Sequence, residues 1–304
     1  MQLSIVGALG LYLLKEHRSP VVSLYDLSVA ALRLYARKEY AGDKIKNIRA
    51  EAPRRDNIVK FRNSMMENGI LEARNDFPRN CFLLTASPFK DPFDLACGLD
   101  SFCYISHLSA MSYHGLTDRF PKRLFLTTPT TPIWKERAEA KMVKDLGENY
   151  ELFKNLAFPV LNRHSFDNFN KSNVNYLVTK LADQGAYISP SDRPIRVSSI
   201  GRTFLDMLRK SELCGGMNHV IDVFTEQAKT YLPLIISEID RHGEKIEKVR
   251  AGYILEERCN IIGNPKIESW IQFAQRGGSR VLDPSAPYWS TFSEKWCLSI
   301  NVSN

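Results

Sequence analysis

Residues 102–129 of the chain are FCYISHLSAMSYHGLTDRFPKRLFLTTP, and their local signals are clear. Ser106 follows an extended segment and is a suitable N-cap for a short helix over residues 107–114. Gly115 is placed to end that helix in the left-handed conformation that glycine tolerates. The alternation in residues 123–128, RLFLTT, is typical of a strand. This first block therefore predicts a helix–turn–strand unit.

A second block lies further along the chain, over residues 195–224, IRVSSIGRTFLDMLRKSELCGGMNHVIDVF. It begins with a short predicted strand that ends in Ser198-Ser199, a cap for the helix that follows. Arg202 and Asp206 stand one helical turn apart, the spacing of an ion pair. We expect this pair to be exposed, so it should contribute at most about half a kcal/mol.

In this order the two blocks resemble the AbiEi family, the antitoxin and repressor half of AbiE-type abortive-infection toxin–antitoxin pairs. The resemblance is best over residues 94–258. It implies an antitoxin that binds and represses its own promoter, and a functional partner that is an AbiEii-type nucleotidyltransferase toxin. It does not require stable contact between the two proteins. The chain has Ile200-Gly201 where family members usually carry Pro-Glu, and this change removes a favoured first-turn proline.

The segment before the blocks, residues 1–86, is called the head here. Apolar residues recur at helical spacing over residues 4–16, which predicts a first helix. Ser23 is a suitable N-cap for a second helix, and Asp26 in its first turn suits the helix dipole. A polar connection follows, in which we expect Ile45 to lie on a short helical turn.

A third helix and a small hairpin complete the predicted head. Pro53 is placed to open the helix, and Gly69 is placed to end it. Its core face is formed by Ile58, Phe61 and Met65. Strands are predicted over residues 70–74 and 81–85, around a turn-rich stretch. Helices followed by a hairpin are the layout of a winged helix-turn-helix domain, whose third helix enters the major groove of DNA.

The polar side chains of the third helix and of the wing predict a DNA-binding surface. Asparagine and lysine can hydrogen-bond base edges, and arginine and lysine can bind phosphates. The predicted DNA-binding residues are Arg54, Arg55, Asn57, Lys60, Arg62, Asn63, Arg74 and Arg79.

Length and charge agree with a basic head on a nearly neutral body. A chain of 304 residues can hold two domains of ordinary size. The net charge is +7, and residues 1–80 hold 14 Lys and Arg against 9 Asp and Glu, whereas the remainder holds 27 against 25. We therefore predict an α+β protein with a winged helix-turn-helix domain at residues 1–86. A larger mixed α/β, helix-rich antitoxin domain is predicted at residues 87–304.

Cysteine usage and hydropathy bear on location and cofactors. The six cysteines are scattered with no CxxC pair, which fits reduced, mostly buried thiols in a cytoplasmic protein. No apolar run is long enough to span a membrane. The nearest set of metal-ligand types has spacings that match no usual zinc pattern: Cys97, Cys103, His107 and His114. We predict no metal, no cofactor and no catalytic residue.

Two other classes of function stay open on the sequence. The first is a DNA-processing, nuclease-like enzyme of a defence system, in which the same head delivers a catalytic body. The second is an adaptor that binds only protein. Cleavage of plasmid DNA in the presence of Mg²⁺ would identify the enzyme, and failure to bind or cleave DNA would favour the adaptor.

Overall fold

Helices and short strands are mixed along the chain. The computed structural model describes residues 2–164, 166, 168–169, 172–180, 186–275 and 280–302. The elements of the head are β1 (Gln2–Leu3), α1 (Ile5–Tyr12), β2 (Val21–Ser23), α2 (Leu24–Arg37), β3 (Glu39–Tyr40), β4 (Asp43–Ile45), α3 (Arg55–Glu67), β5 (Leu71–Glu72) and β6 (Cys81–Leu84).

The remainder of the chain, which begins at residue 87, is called the body here. Its elements are α4 (Pro92–Leu99), β7 (Tyr104–Ile105), α5 (His107–Tyr113), β8 (Arg123–Pro129), α6 (Thr131–Leu146), α7 (Tyr150–Asn155), β9 (Asn168–Phe169), β10 (Ser172–Thr179), β11 (Tyr187–Ile188), β12 (Val197–Ser198), α8 (Ile200–Arg209), α9 (Met217–His242), α10 (Lys245–Tyr253), α11 (Pro265–Ser269), β13 (Phe292–Ser293) and β14 (Leu298–Ser299). The protein thus has a mixed α and β fold.

Local capping signals determine where α2 begins. The hydroxyl of Ser23 accepts a hydrogen bond from the Asp26 amide at 3.2 Å, and the Asp26 carboxylate accepts one from the Ser23 amide at 2.8 Å. This reciprocal capping box satisfies two amides at the start of the helix. The predicted N-cap is confirmed, and α2 ends at Arg37, where the left-handed backbone of Lys38 caps it.

Two small sheets lie in the head. In one sheet β2 pairs antiparallel with β6, and β6 pairs antiparallel with β5. In the other, β1 pairs parallel with β4, and β4 pairs antiparallel with β3. The prediction that Ile45 lies on a helical turn is wrong, because it is a strand residue paired with Leu3. A turn at Ala41 and Gly42, both with positive φ, closes this hairpin.

The apolar core of the head extends beyond its last strand. Buried residues of α1, α2 and α3 form one cluster with Trp134, Met142 and Phe153, which belong to α6 and α7. The Arg33 guanidinium also donates a hydrogen bond to the Asp145 carbonyl. The boundary after residue 86 stays a prediction, but packing between head and body crosses it.

The body contains a mixed sheet in the order β11–β12–β7–β8–β10–β9. Strands β12 and β7 are parallel, as are β8 and β10, and the other neighbours are antiparallel. The helices α6 and α7 lie in the crossover between β8 and β10. A crossover of this kind is needed wherever neighbouring strands are parallel.

The two blocks that carry the resemblance contact each other in this sheet. Ile105 of the first block pairs with Val197 of the second, and the imidazole of His114 hydrogen-bonds the Ser198 carbonyl at 2.7 Å. Gly115 ends α5 with a φ of 65°. The blocks therefore form one packing unit of the body.

Helices α8 and α9 pack closely because one residue has no side chain. A Cβ on Gly201 would lie 2.5 Å from the Leu234 carbonyl oxygen of α9. Glutamate, usual in the resembled family at this position, has no space here. Although the first-turn proline is absent, α8 begins at Ile200, where the Ser199 hydroxyl accepts a hydrogen bond from the Arg202 amide.

The ion pair between Arg202 and Asp206 exists, but the prediction that it is exposed is wrong. Their side chains are 4% and 6% exposed, and Arg202 Nε lies 2.9 Å from Asp206 Oδ1. A further carboxylate, that of Glu238 on α9, lies 3.7 Å from Arg202 Nη1. The close approach of α9 buries the pair, so removing one partner would leave a buried charge uncompensated.

The end of the body is a helical layer closed by a hairpin. The indole of Trp296 donates a hydrogen bond to Glu256 at 3.1 Å and packs against Gly252, where any side chain would collide with the ring. Strands β13 and β14 pair antiparallel in this hairpin. None of the described helices is both long and apolar enough to cross a membrane.

Candidate nucleic-acid interface

Helix α3 has one buried face and one exposed face. Ile58, Phe61 and Met65 are buried against α1 and α2, which confirms the predicted core face. Because successive residues are separated by 100° around a helix, the outermost stripe opposite Ile58 consists of Asp56, Lys60, Asn63 and Glu67. Two of these four residues are acidic, and the sequence analysis did not include them.

The basic residues at the start and middle of α3 are exposed and unengaged. Within the part of the chain that the structure describes, the side chains of Arg54, Arg55 and Lys60 make no hydrogen bond or ion pair. A long cationic side chain that is left unpaired keeps its full capacity to bind an anion such as a phosphate. These three residues are therefore the strongest candidates for phosphate contacts.

Three other predicted residues of α3 are already engaged locally. The Asn57 side-chain oxygen accepts a hydrogen bond from the Arg54 amide at 2.8 Å, so Asn57 serves as a cap of the helix. The Arg62 guanidinium donates two hydrogen bonds to the side-chain oxygen of Asn63, at 3.0 and 2.6 Å. Asn63 remains exposed, but its acceptor is occupied by Arg62.

A hairpin follows α3 directly and is joined to its end. Gly69 has a φ of 67°, and the Ile70 amide donates to the Met65 carbonyl at 2.8 Å, which closes the last turn. The Thr85 hydroxyl, beyond the second strand, donates to the Gly69 carbonyl at 2.6 Å. Residues 73–80 form the loop between β5 and β6, in which Phe77 is buried and Arg79 is exposed.

The two arginines of this loop differ. Arg74 Nε and Nη2 donate to the Asp76 carboxylate at 2.9 and 2.7 Å, and the guanidinium lies over the Phe77 ring, 5.0 Å from its centroid. The hydrogen bonds to Asp76 raise the pKa of Arg74 above its usual range. Arg79 is exposed and makes no such contact within the described residues. Arg79 is therefore the better candidate.

The connection between α2 and α3 adds cations that the sequence analysis missed. Lys44, Lys46 and Arg49 are exposed, and none of their side chains is paired in the described chain. A signal was present, because these cations are interleaved with Ile45 and Ile48 in the segment KIKNIR. Ile45 is buried and Ile48 is half-buried against the core of the head, whereas the cations of the same segment stay exposed.

The four residues of metal-ligand type do not converge. The His107 imidazole hydrogen-bonds the Ser106 hydroxyl at 2.8 Å, His114 contacts Ser198 as described, and burial lowers the pKa of both histidines. Cys97 and Cys103 lie elsewhere, against Arg196. Among the residues that the structure describes, no His, Cys, Asp and Glu side chains are grouped to hold a metal ion.

Comparison with known proteins finds a distant likeness in structure. No family model matches the chain, and no curated protein matches it in sequence. The chain is similar in structure to the RV2827C protein from Mycobacterium tuberculosis, with 11% identity and a TM-score of 0.48. The likeness covers 97% of this chain and 90% of that protein. Nothing about function follows from it.

Proposed function

We propose that the head is a winged helix-turn-helix domain that binds duplex DNA through α3 and the loop between β5 and β6. In this proposal α1, α2 and α3 are the three helices of the domain, and β5 and β6 are the strands of the wing. Strand β2 pairs with β6 and completes the small sheet. Helix α3 is the recognition helix, since it follows α2 and leads directly into the wing.

The observation that carries this proposal is the set of exposed, unpaired cations in the head. Arg54, Arg55 and Lys60 on α3 are joined by Arg79 on the wing and by the cations of the β4–α3 connection. Unpaired surface cations repel each other and gain most when a polyanion neutralises them. A DNA backbone offers closely spaced phosphates for this purpose.

We further propose that the whole protein is an antitoxin that represses its own promoter. Support for this half comes from the resemblance of residues 102–129 and 195–224 to the AbiEi family. In the structure these blocks pack against each other, and Arg196 and Arg202 of the second block are engaged within the body. The functional partner would be an AbiEii-type nucleotidyltransferase toxin, with or without direct contact.

A salt titration tests the DNA-binding half. Fluorescence anisotropy of the full-length protein on a duplex from its own promoter should give an affinity that falls steeply with salt. The expected slope is about 0.9 decade per decade of salt for each phosphate neutralised. A scrambled duplex of equal length should bind more weakly. Binding that is absent, or insensitive to salt, would contradict the assignment of the head.

Growth after co-expression with the neighbouring gene product tests the antitoxin half. The proposal expects that a nucleotidyltransferase encoded beside this gene stops growth alone and does not stop it when this protein is present. Plasmid DNA incubated with the purified protein and Mg²⁺ should stay intact. Cleavage that chelation abolishes would instead support the DNA-processing enzyme.

A further inference from the structure

Two buried cysteines meet where the head contacts the body. Cys97 lies in the last turn of α4, and Cys103 lies just before β7. The Cys97 thiol donates a hydrogen bond to the Arg196 carbonyl at 3.7 Å, and the Cys103 thiol donates one to the Asp100 carbonyl at 3.5 Å. Cys103 Sγ also lies 3.6 Å from the Ala96 carbonyl oxygen, so both sulfurs are held against the same helical turn.

A buried arginine lies beside these sulfurs. The Arg196 guanidinium donates hydrogen bonds to the carbonyl oxygens of Cys97, Asp100 and Cys103, at 2.8, 2.6 and 2.6 Å. The Arg196 amide lies 3.4 Å from Cys97 Sγ. No carboxylate is within ion-pair distance of this guanidinium among the described residues. Its positive charge is therefore available to stabilise a thiolate.

The two thiols have different acidities. The neighbouring Cys103 side chain, together with Arg196, lowers the pKa of Cys97 to about 7 against the effect of burial. Burial raises the pKa of Cys103 well above its usual range. The thiolate form is thus more favoured at Cys97 than at Cys103.

A cavity gives small molecules access to Cys97. Its volume is about 320 Å³, and it is open to solvent on one side. A water molecule occupies roughly 30 Å³ of liquid volume, so a molecule of the size of hydrogen peroxide fits easily. The lining of the cavity includes Cys97, His17, Ser19, Ser101, Arg193 and Arg196.

We propose that Cys97 and Cys103 are a peroxide-sensitive dithiol, in which Cys97 is the site of oxidation and Cys103 resolves it to a disulfide. The Cys97 thiolate attacks one oxygen of the peroxide, the O–O bond breaks, and the products are a sulfenic acid and hydroxide. Cys103 then loses its proton and attacks the Cys97 sulfur. The S–O bond breaks, and the departing hydroxide takes that proton to form water. Two thiols are oxidised by two electrons, and one peroxide is reduced to two waters.

Disulfide formation would act on the head through the neighbouring residue. A Cβ on Gly98 would lie 2.9 Å from both the Ser19 hydroxyl and a Val21 methyl, so α4 has no free space on that side. Val21 belongs to β2, which pairs with the wing strand β6 at Leu83. A disulfide fixes the sulfurs about 2.05 Å apart, so its formation constrains the last turn of α4, which carries Cys97. Oxidation therefore lowers the affinity of the head for DNA, a consequence that rests on the proposed function.

Mass spectrometry tests the dithiol without reference to DNA. The reduced full-length protein is treated with a few equivalents of hydrogen peroxide, and the remaining thiols are alkylated. The expected product has lost two hydrogens, and its peptide map joins Cys97 to Cys103. The Cys103→Ser and Cys103→Ala variants should accumulate a sulfenic acid that reacts with dimedone, whereas Cys97→Ser should not. The Cys297→Ser variant, which removes a half-exposed thiol, is the control and should still form the disulfide.

Thermal melting under reducing conditions shows which of these variants fold, and the comparison uses those that do. Oxidation confined to Cys297, or no change at Cys97 in the parent protein, would overturn the proposal.

DNA affinity is then measured before and after oxidation. The parent should lose at least about fivefold, which is the lower end of typical coupling between sites, and Cys103→Ser should lose less. A disulfide that leaves DNA affinity unchanged would overturn the coupling. Reduced protein that fails to bind DNA would instead count against the proposed function.

Discussion

Two arginines of the head and two of the body have opposite environments. Arg54 and Arg55 of the head are exposed and make no side-chain contact within the described residues, whereas Arg196 and Arg202 of the body are engaged by carbonyls and carboxylates. The body arginines belong to the block that resembles AbiEi, and their contacts explain packing. The DNA-binding proposal rests on the head arginines. The resemblance to the AbiEi family and the proposed recognition of DNA therefore depend on different residues. The two can be tested separately.

The largest effect is expected from the buried ion pair. Arg202→Ala leaves the Asp206 and Glu238 carboxylates without their cation, so the free energy of unfolding should fall by about 3–5 kcal/mol. Chemical denaturation followed by circular dichroism measures this loss. The matched variant Arg55→Ala should change stability by no more than about 0.5 kcal/mol. If the two variants lost the same free energy of unfolding, the distinction between the buried Arg202 and the exposed Arg55 would not hold.

The second effect concerns DNA affinity. The double variant Arg55→Ala with Lys60→Ala removes two unpaired cations, each worth about tenfold in affinity if it binds a phosphate. The slope of log affinity against log salt should decrease by about 2. The control is Lys229→Ala with Lys245→Ala, which removes two exposed cations of the body. If both double variants lost the same DNA affinity, net charge alone would explain the binding.

A third, smaller effect should have the opposite sign. Asp56 and Glu67 lie on the outermost stripe of α3, where their charges repel phosphates. Asp56→Asn and Glu67→Gln should each strengthen DNA binding by about threefold, the scale of an exposed charge interaction. Asp222→Asn and Glu226→Gln make the same change on α9 and should leave binding unchanged. Weaker binding after neutralising Asp56 or Glu67 would mean that this face does not meet DNA.

The smallest effect distinguishes the two wing arginines. Arg79→Ala should weaken binding by about threefold, since this side chain is free to contact a phosphate. Arg74→Ala should change affinity by less than about twofold, because Asp76 already neutralises the guanidinium. Competition anisotropy on the same duplex resolves these values. A larger loss for Arg74→Ala would show that DNA displaces Asp76.

Features encoded by neighbouring residues were predictable from the sequence. The Ser23 cap, the buried face of α3 and the end of α5 at Gly115 each depend on residues within a few positions of one another. In such cases the periodicity of apolar residues and the capping rules contain the necessary information. The mixed α and β character followed from the same signals.

Features that depend on distant partners were not predictable. The strand position of Ile45 requires the N-terminal segment, and the burial of Arg202 requires the approach of α9 to Gly201. In the candidate site, residue type alone did not show that Asn57 caps its helix or that Arg74 is paired with Asp76. Which polar side chains remain free is set by the folded neighbours.

Hydrogen–deuterium exchange of the full-length protein, with and without its promoter duplex, tests the central claim most directly. The account predicts that bound DNA slows exchange in residues 44–67 and 73–80 and leaves α8 and α9 unchanged. Protection confined to the body at saturating DNA would contradict it, since the unpaired cations of the head would then have no part in binding.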